Sequence, residues 1–354
     1  MMARLKTFAL PLVSFLIGVS AALAISWILG ENPIEVARIL VNGAFGSATQ
    51  IGYSLFYATP LIFTGLSVAW AFKAGLFNIG AEGQMTLGGL AMAIVGISLS
   101  GLPAVVAIPV AFVVAFVVGG LWGALAGWMK AKRGCHEVLT TILLNFVAYG
   151  VSSFFILSVF RNRDVQSPET EVVGDGFQIG AMEWLGGTSP LNWSFAYALI
   201  AAVLFHFIFK KTRLGFYQRM AGGAPMTGRL AGIGMDRQTI IAMFVSGGLA
   251  ALAGASPVLG FMFKAREGFS GGAGFVGIAV ALLGRNSAFG VVAAAILFGA
   301  LTRGALDLDL DTEKVSRDLA TVIQALIVLA VASQVGLGQL WTKMTERMTK
   351  GDRK

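Results

Sequence analysis

The sequence predicts an all-α polytopic membrane protein with about ten transmembrane helices, both termini cytoplasmic and a short cytoplasmic helix between the sixth and seventh spans. Three observations predict it. Of 354 residues, 56% are hydrophobic and only 12% are charged, about half the charge of a soluble domain. Runs close to the bilayer-crossing length of about twenty residues, poor in charge, recur along the whole chain. The basic residues fall in short stretches between those runs and favour one side.

A window of about twenty residues places the spans near 8–29, 51–72, 85–101, 103–129, 138–160, 191–209, 239–263, 274–284, 288–302 and 318–339. The start of the first, Met1-Met2-Ala3-Arg4-Leu5-Lys6, an apolar run and Ala22-Leu23-Ala24, is similar to a secretory signal with its cleavage site. The apolar stretch continues through Ile28 and Leu29, so an uncleaved spanning helix is expected. The eighth and ninth spans are short and separated only by Gly284-Arg285-Asn286-Ser287, either two tilted helices or one re-entrant pair. With the N-terminus inside, 18 of the 26 Lys and Arg fall on the cytoplasmic side and 8 outside, as the positive-inside rule requires.

Among the connecting segments, Glu31–Gln50 carries Ile34, Val36, Ile39, Leu40 and Val41 and reads as an interfacial helix. The longest outside loop, 161–190, is rich in Gly and acids and holds Trp184. Asp307, Asp309, Asp311 and Glu313 precede the last span as solvated charge or an outside docking surface; they lack the glycine and distal glutamate of a calcium loop. The longest inside loop, 210–238, reads KKTRLGFYQRMAGGAPMTGRLAGIGMDRQ. Pro225 starts a short helix there, which Met226, Leu230 and Ile233 make amphipathic. That helix either lies on the bilayer or docks in a groove of a cytosolic partner. The tail 341–354 is basic and cytoplasmic.

Several functions are excluded by what is missing. The net charge of +8 is spread over loops instead of forming one basic face, which argues against nucleic acid as a partner and for membrane lipid. Cys135, the single cysteine, with neighbouring His136 is too little for a metal site. No phosphate loop is present, so ATP is not hydrolysed here by that route. With only His136 and His206, acid–base catalysis is poorly supplied; the chain is not an enzyme, needs no cofactor and binds no metal.

The polar residues inside the apolar frame are the candidates for function. Lys73-Ala-Gly-Leu-Phe-Asn-Ile-Gly-Ala-Glu-Gly-Gln84 stands at the inside end of the second and third spans. Its Asn78, Glu82 and Gln84 either line or gate a translocation pathway or make structural hydrogen bonds between helices. Asn145 and Tyr149, one turn apart, either face that pathway together or join helices. Arg285 and Asn286 mark the meeting of the eighth and ninth spans, and Asn286 is a further candidate for the translocation pathway.

Here a resemblance enters. KAGLFNIGAEGQ resembles the signature of permease subunits of nucleoside and simple-sugar ABC importers, within the larger family serving ribose-type sugars and branched-chain amino acids. RMAGGAPMTGRLAGIGMDR is similar to that family's coupling loop, and VALLGRNSAFGVV to its polar break, although Ala224 takes a position usually held by Asn and Ala288 one often held by Pro. The resemblance spans most of the chain and implies one permease domain over 1–354, the longer subunit of a two-permease system in the bacterial cytoplasmic (inner) membrane. It further implies a second permease subunit, cytosolic ABC ATPase subunits and an extracytoplasmic solute-binding protein. By the same resemblance Arg219, Gly222, Gly223, Pro225, Arg229 and Gly232 couple the channel to the ATPases, and the solute is a nucleoside, purine or simple sugar. For Arg229 the alternative is a positive-inside anchor. The rival function is an ion-coupled secondary transporter of a small polar solute, disfavoured because span centres look nearly free of Asp, Glu and Lys.

Overall fold

The computed structural model describes residues 18–21, 23–312, 316–319, 321–326 and 329. The expected first and tenth spans lie largely outside these residues, and the tail 341–354 wholly so. The named helices are α1 (Pro33–Phe45), α2 (Ala48–Lys73), α3 (Ala81–Ser98), α4 (Ala104–Arg133), α5 (Glu137–Phe154), α6 (Ser194–Lys211), α7 (Arg213–Gly223), α8 (Pro225–Leu230), α9 (Met235–Leu252), α10 (Ala273–Leu283) and α11 (Ala288–Leu306). A π turn over Phe155–Val159 extends α5, and another over Ala255–Leu259 follows α9. Strand pairing among the described residues is limited to isolated bridges.

Each of the other eight expected spans meets a helix, and six described helices are long and apolar enough to cross a membrane. The two exceptions are informative. Helix α3 starts at Ala81, four residues before the expected span, so Glu82 and Gln84 lie in its first turn. Helix α10 has 11 residues, about 16 Å of length against a hydrocarbon core of about 30 Å.

The chain divides into two compact units, 1–43 with 301–354, and 44–300. In the first, a methyl on Gly304 would stand 2.3 Å from the Leu40 carbonyl oxygen, so the helix ends touch backbone to backbone. Asp307 of the acidic run pairs with Arg303 at 2.6 Å, one helical turn earlier.

The second unit is built on the packing of α4 against α9. Ala107, Ala111, Ala115, Gly119, Gly123 and Gly127 recur every four residues on α4 and are all buried. A methyl on Gly123 would lie 2.3 Å from the Met243 carbonyl oxygen, and one on Gly119 2.6 Å from that of Gly247. Small residues let two backbones approach where lipid provides no hydrophobic drive between helices. Loops of this unit segregate to opposite ends of the helices. At one end the 161–190 segment pairs with the stretch after α9, through Ile179 N–H to Leu259 O (2.7 Å), Val173 N–H to Phe263 O (2.8 Å) and Thr170 N–H to Ala265 O (2.9 Å). At the other, Lys130 meets Glu137, Lys132 meets Asp236, and Gln218 donates to Gln238.

Candidate functional site

Helices α3 and α10 both begin in the middle of the bundle. A methyl on Gly119 would sit 3.4 Å from the Gln84 carbonyl oxygen. Gly119 lies midway along α4, about 21 Å from either end at 1.5 Å per residue. Thr64 donates its hydroxyl to Ala273 O at the start of α10 and lies about 14 Å from the Lys73 end of α2. The first turn of a helix exposes N–H groups without intrahelical partners, which cannot be left bare in an apolar interior.

The polar run supplies the missing partners. The Glu82 carboxylate accepts from Gly272 N–H (3.0 Å), Gly274 N–H (2.6 Å) and Ser270 Oγ (2.6 Å), closing the N-terminus of α10. An anion there is favoured by the helix dipole as well as by the donors. Asn145 Oδ1 accepts from Gly83 N–H at 2.9 Å and Asn145 Nδ2 donates to Ile79 O at 3.0 Å, holding the start of α3. Asn78 Oδ1 accepts from Gly80 N–H, while its Nδ2 donates to Gln84 Oε1 and Ser246 Oγ, both at 2.8 Å. Ser246 in turn donates to Ser67 O. Gly274 has no room for a side chain, since a methyl would stand 2.3 Å from the Glu82 nitrogen.

Asn78, Glu82, Gln84 and Asn145 are therefore brought together, all buried, Glu82 with 2% of its surface exposed. Their place is mid-bundle, not the inside end of two spans. Span centres expected to be nearly free of acids have an exception in Glu82, because residues 74–80 fold back into the bundle before α3 begins. Tyr149 does not join them in burial and is 36% exposed.

The 284–287 break joins α10 to α11 tightly. Arg285 and Asn286 adopt φ of 52° and 54°, and Ser287 Oγ accepts from Gly290 N–H. A methyl on Gly290 would lie 2.2 Å from Gly284 O. Asn286 Oδ1 is buried and has no hydrogen-bond partner among the described residues.

The 210–238 loop folds into α7, a turn at Ala224 and the six-residue α8. Pro225 opens α8 where its missing N–H costs nothing. Gly232, at φ 77°, ends it: Ile233 N–H bonds Gly228 O and Gly232 N–H bonds Arg229 O, a Schellman arrangement. Ile233 consequently lies beyond the helix, and the expected apolar stripe reduces to Met226 and Leu230, the latter 84% exposed. Arg219, Gly223 and Arg229 are exposed, and Arg229 has no ion pair among the described residues. Gly222 is pressed onto the α2 terminus: a methyl there would stand 2.4 Å from Lys73 O and 2.7 Å from Gly75 N.

Sequence reasoning overlooked Ser270, Gly272 and Gly274, although the Gly-rich stretch before the α10 apolar run marks a backbone under special demands. Residues 268–272 also read Gly-x-Ser-x-Gly, the spacing of a hydrolase nucleophile elbow. Here Ser270 donates its hydroxyl to the Glu82 carboxylate and accepts from Thr86, so its proton is engaged in closing the α10 terminus and not presented to a histidine base as in a nucleophile elbow.

Comparison with known proteins agrees with this architecture. The family described as the branched-chain amino acid transport system permease component matches residues 50–339. The chain is 35% identical over 350 residues to the guanosine ABC transporter permease NupP of Bacillus subtilis, covering 98% of this chain and 99% of that protein. It is 35% identical over 335 residues to the nucleoside ABC transporter permease NupB of Lactococcus lactis, covering 93% and 92%. It is 33% identical over 322 residues to the glucose ABC transporter permease TsgB13 of Haloferax volcanii, covering 88% and 84%. The same two bacteria each hold a second, more distant match, NupQ at 24% and NupC at 22% identity, so their systems contain paired permeases.

Proposed function

The chain belongs to the branched-chain amino acid transport system permease family, and from that premise we propose that it forms half of the channel of an ABC importer for purine nucleosides. Hydrolysis of ATP lies on other subunits of such systems, and the chain is a permease, not an enzyme. The nucleoside reading is supported by the near full-length relatives named for guanosine and nucleosides; a simple sugar is the second reading, supported by the glucose permease.

In this reading a single permease domain of ten spans lies in the bacterial cytoplasmic membrane with both termini inside. It pairs with a second permease, meets cytosolic ATPases through 210–238 and receives solute from an extracytoplasmic binding protein. The observation that carries the proposal is the seat of the Arg219–Gly232 region. An exposed helix with a free cation, Arg229, is keyed through Gly222 onto residues 73–75, and residues 76–84 lead from there directly to the buried start of α3. A push on α8 thus reaches the middle of the bundle along one short stretch of chain. Ion coupling fits less well, because the deep carboxylate Glu82 is committed to three donors.

The test is uptake of labelled guanosine into cells expressing the chain with and without its second permease, ATPase and binding protein. Uptake that requires all of them supports the proposal. Uptake by the chain alone, driven by a proton or sodium gradient, overturns it.

A further inference from the structure

Irregular backbone at membrane depth faces either packed protein or water, because lipid leaves its N–H and C=O groups unpaired. The stretch from Arg266 to Gly272 is of this kind. It leaves the outer-end loops at Glu267, whose N–H bonds Pro168 O, and descends to Gly272, which bonds Glu82 at the depth where α10 begins. Buried protein covers only part of it: Gly268 and Gly271 are exposed, at φ of 75° and 54°.

Helix α5 frames the same opening. Ser153 donates to the Glu267 carboxylate, which fixes the side of α5 turned toward this stretch. Tyr149, one turn deeper, and Phe146, a further turn down, lie on that side. Their rings meet edge to face at 6.4 Å, and Phe146 and Tyr149 are 66% and 36% exposed. Phe275, in the first turn of α10 and next to the Gly274 that bonds Glu82, is 44% exposed.

We propose that Phe146, Tyr149 and Phe275, with the exposed backbone of Gly268 and Gly271, form the solute-facing wall of the pathway and take a flat purine nucleoside. The rings offer faces on which a heteroaromatic base stacks, an interaction indifferent to base identity. The glycine backbone offers peptide groups to sugar hydroxyls at a depth where the neighbouring polar side chains are already bonded within the bundle. The buried Asn78, Glu82, Gln84 and Asn145 then serve as the framework behind this wall and never touch solute. The inference rests on the importer reading and names where its solute passes.

The test is thiol labelling of the assembled importer with a membrane-impermeant methanethiosulfonate, in a Cys135→Ser background. Tyr149→Cys and Phe275→Cys are compared with Leu121→Cys, which is 60% exposed on α4 at the same depth as Glu82. Thiolates form and react in water, so both are expected to label about tenfold faster than Leu121→Cys, and guanosine, but not ribose, is expected to slow them. Labelling at the Leu121→Cys rate overturns the wall; fast labelling that guanosine leaves unchanged overturns the nucleoside assignment. Should a cysteine variant fail to assemble, Phe275→Leu is expected to raise the guanosine KM about fivefold, the worth of one stacked base at the lower end, with ATPase stimulation intact; an unchanged KM overturns the proposal. Uptake that needs no ATPase defeats the importer reading and leaves the labelling pattern to judge the wall separately.

Discussion

Gly274 donates its backbone N–H to the Glu82 carboxylate at 2.6 Å, so a residue in the first turn of α3 closes the first turn of α10 from 192 positions away in sequence. Of the two helices that start at mid-depth, α3 thereby closes the start of α10, while its own start is held by Asn145 and Asn78. The same carboxylate binds Gly272 N–H and the Ser270 hydroxyl, which accounts for an acid surviving in an apolar bundle.

Glu82→Gln keeps the shape but replaces charge-assisted bonds with neutral ones and brings an amide donor toward N–H groups. The variant is expected to lose about 1.5–3 kcal/mol of stability, read as a lowered melting temperature of the purified permease pair. If Glu82→Gln melts as the parent does and still transports, Glu82 holds nothing together.

Gly222 is expected to tolerate no side chain. Gly222→Ala forces backbone apart at Lys73 and Gly75, so guanosine uptake should fall about tenfold or more while the ATPases still co-purify, a small displacement sufficing for such a loss. Normal ATP-driven uptake in this variant would show that the contact transmits nothing.

Arg229→Glu reverses the exposed cation on α8. Weaker co-purification of the ATPases, with the permease pair itself intact, is the expected result, since reversing a contact charge across an interface costs several kcal/mol. An unchanged complex with unchanged transport would leave Arg229 as a topological anchor only.

At the end of the bundle formed by the 161–190 loop, Lys264 donates to Glu169 at 2.7 Å. The hydrogen bond from Lys264, with a further one from Ser167, holds the Glu169 carboxyl below its ordinary value of 4.5, against the opposing effect of burial. A depressed folded value means the pair stabilises fully above the unfolded pKa and loses its effect as pH falls from about 4.5 through the lower folded value. The permease should therefore lose stability as pH falls below about 4.5, and Glu169→Gln should lower stability near neutral pH and flatten this acid limb. Identical acid profiles in detergent would count against the linkage.

Much of the frame was legible from composition and charge, because hydrocarbon demands long apolar helices and leaves the basic loops to one side. Pro225 and Gly232 announced a short helix, and both sit at its ends. The stripe of small residues from Ala107 to Gly127 was equally present in the sequence, yet its partner on α9 was not, since period four says that something packs closely and not what. Ile233 misled because a glycine two residues after a short apolar helix stops it before the stripe continues.

The sequence by itself determined the class of molecule, the order of its helices and the importance of Lys73–Gln84. Only the tertiary structure decided what those polar residues do. Local spacing placed them in a loop at the end of two spans; the folded chain carries them to mid-depth, where Asn78, Glu82 and Asn145 satisfy helix starts contributed by distant segments. The physical reason is that an unpaired N–H in an apolar interior must find an acceptor somewhere in the fold, and a sequence shows the acceptor without showing which donor will reach it.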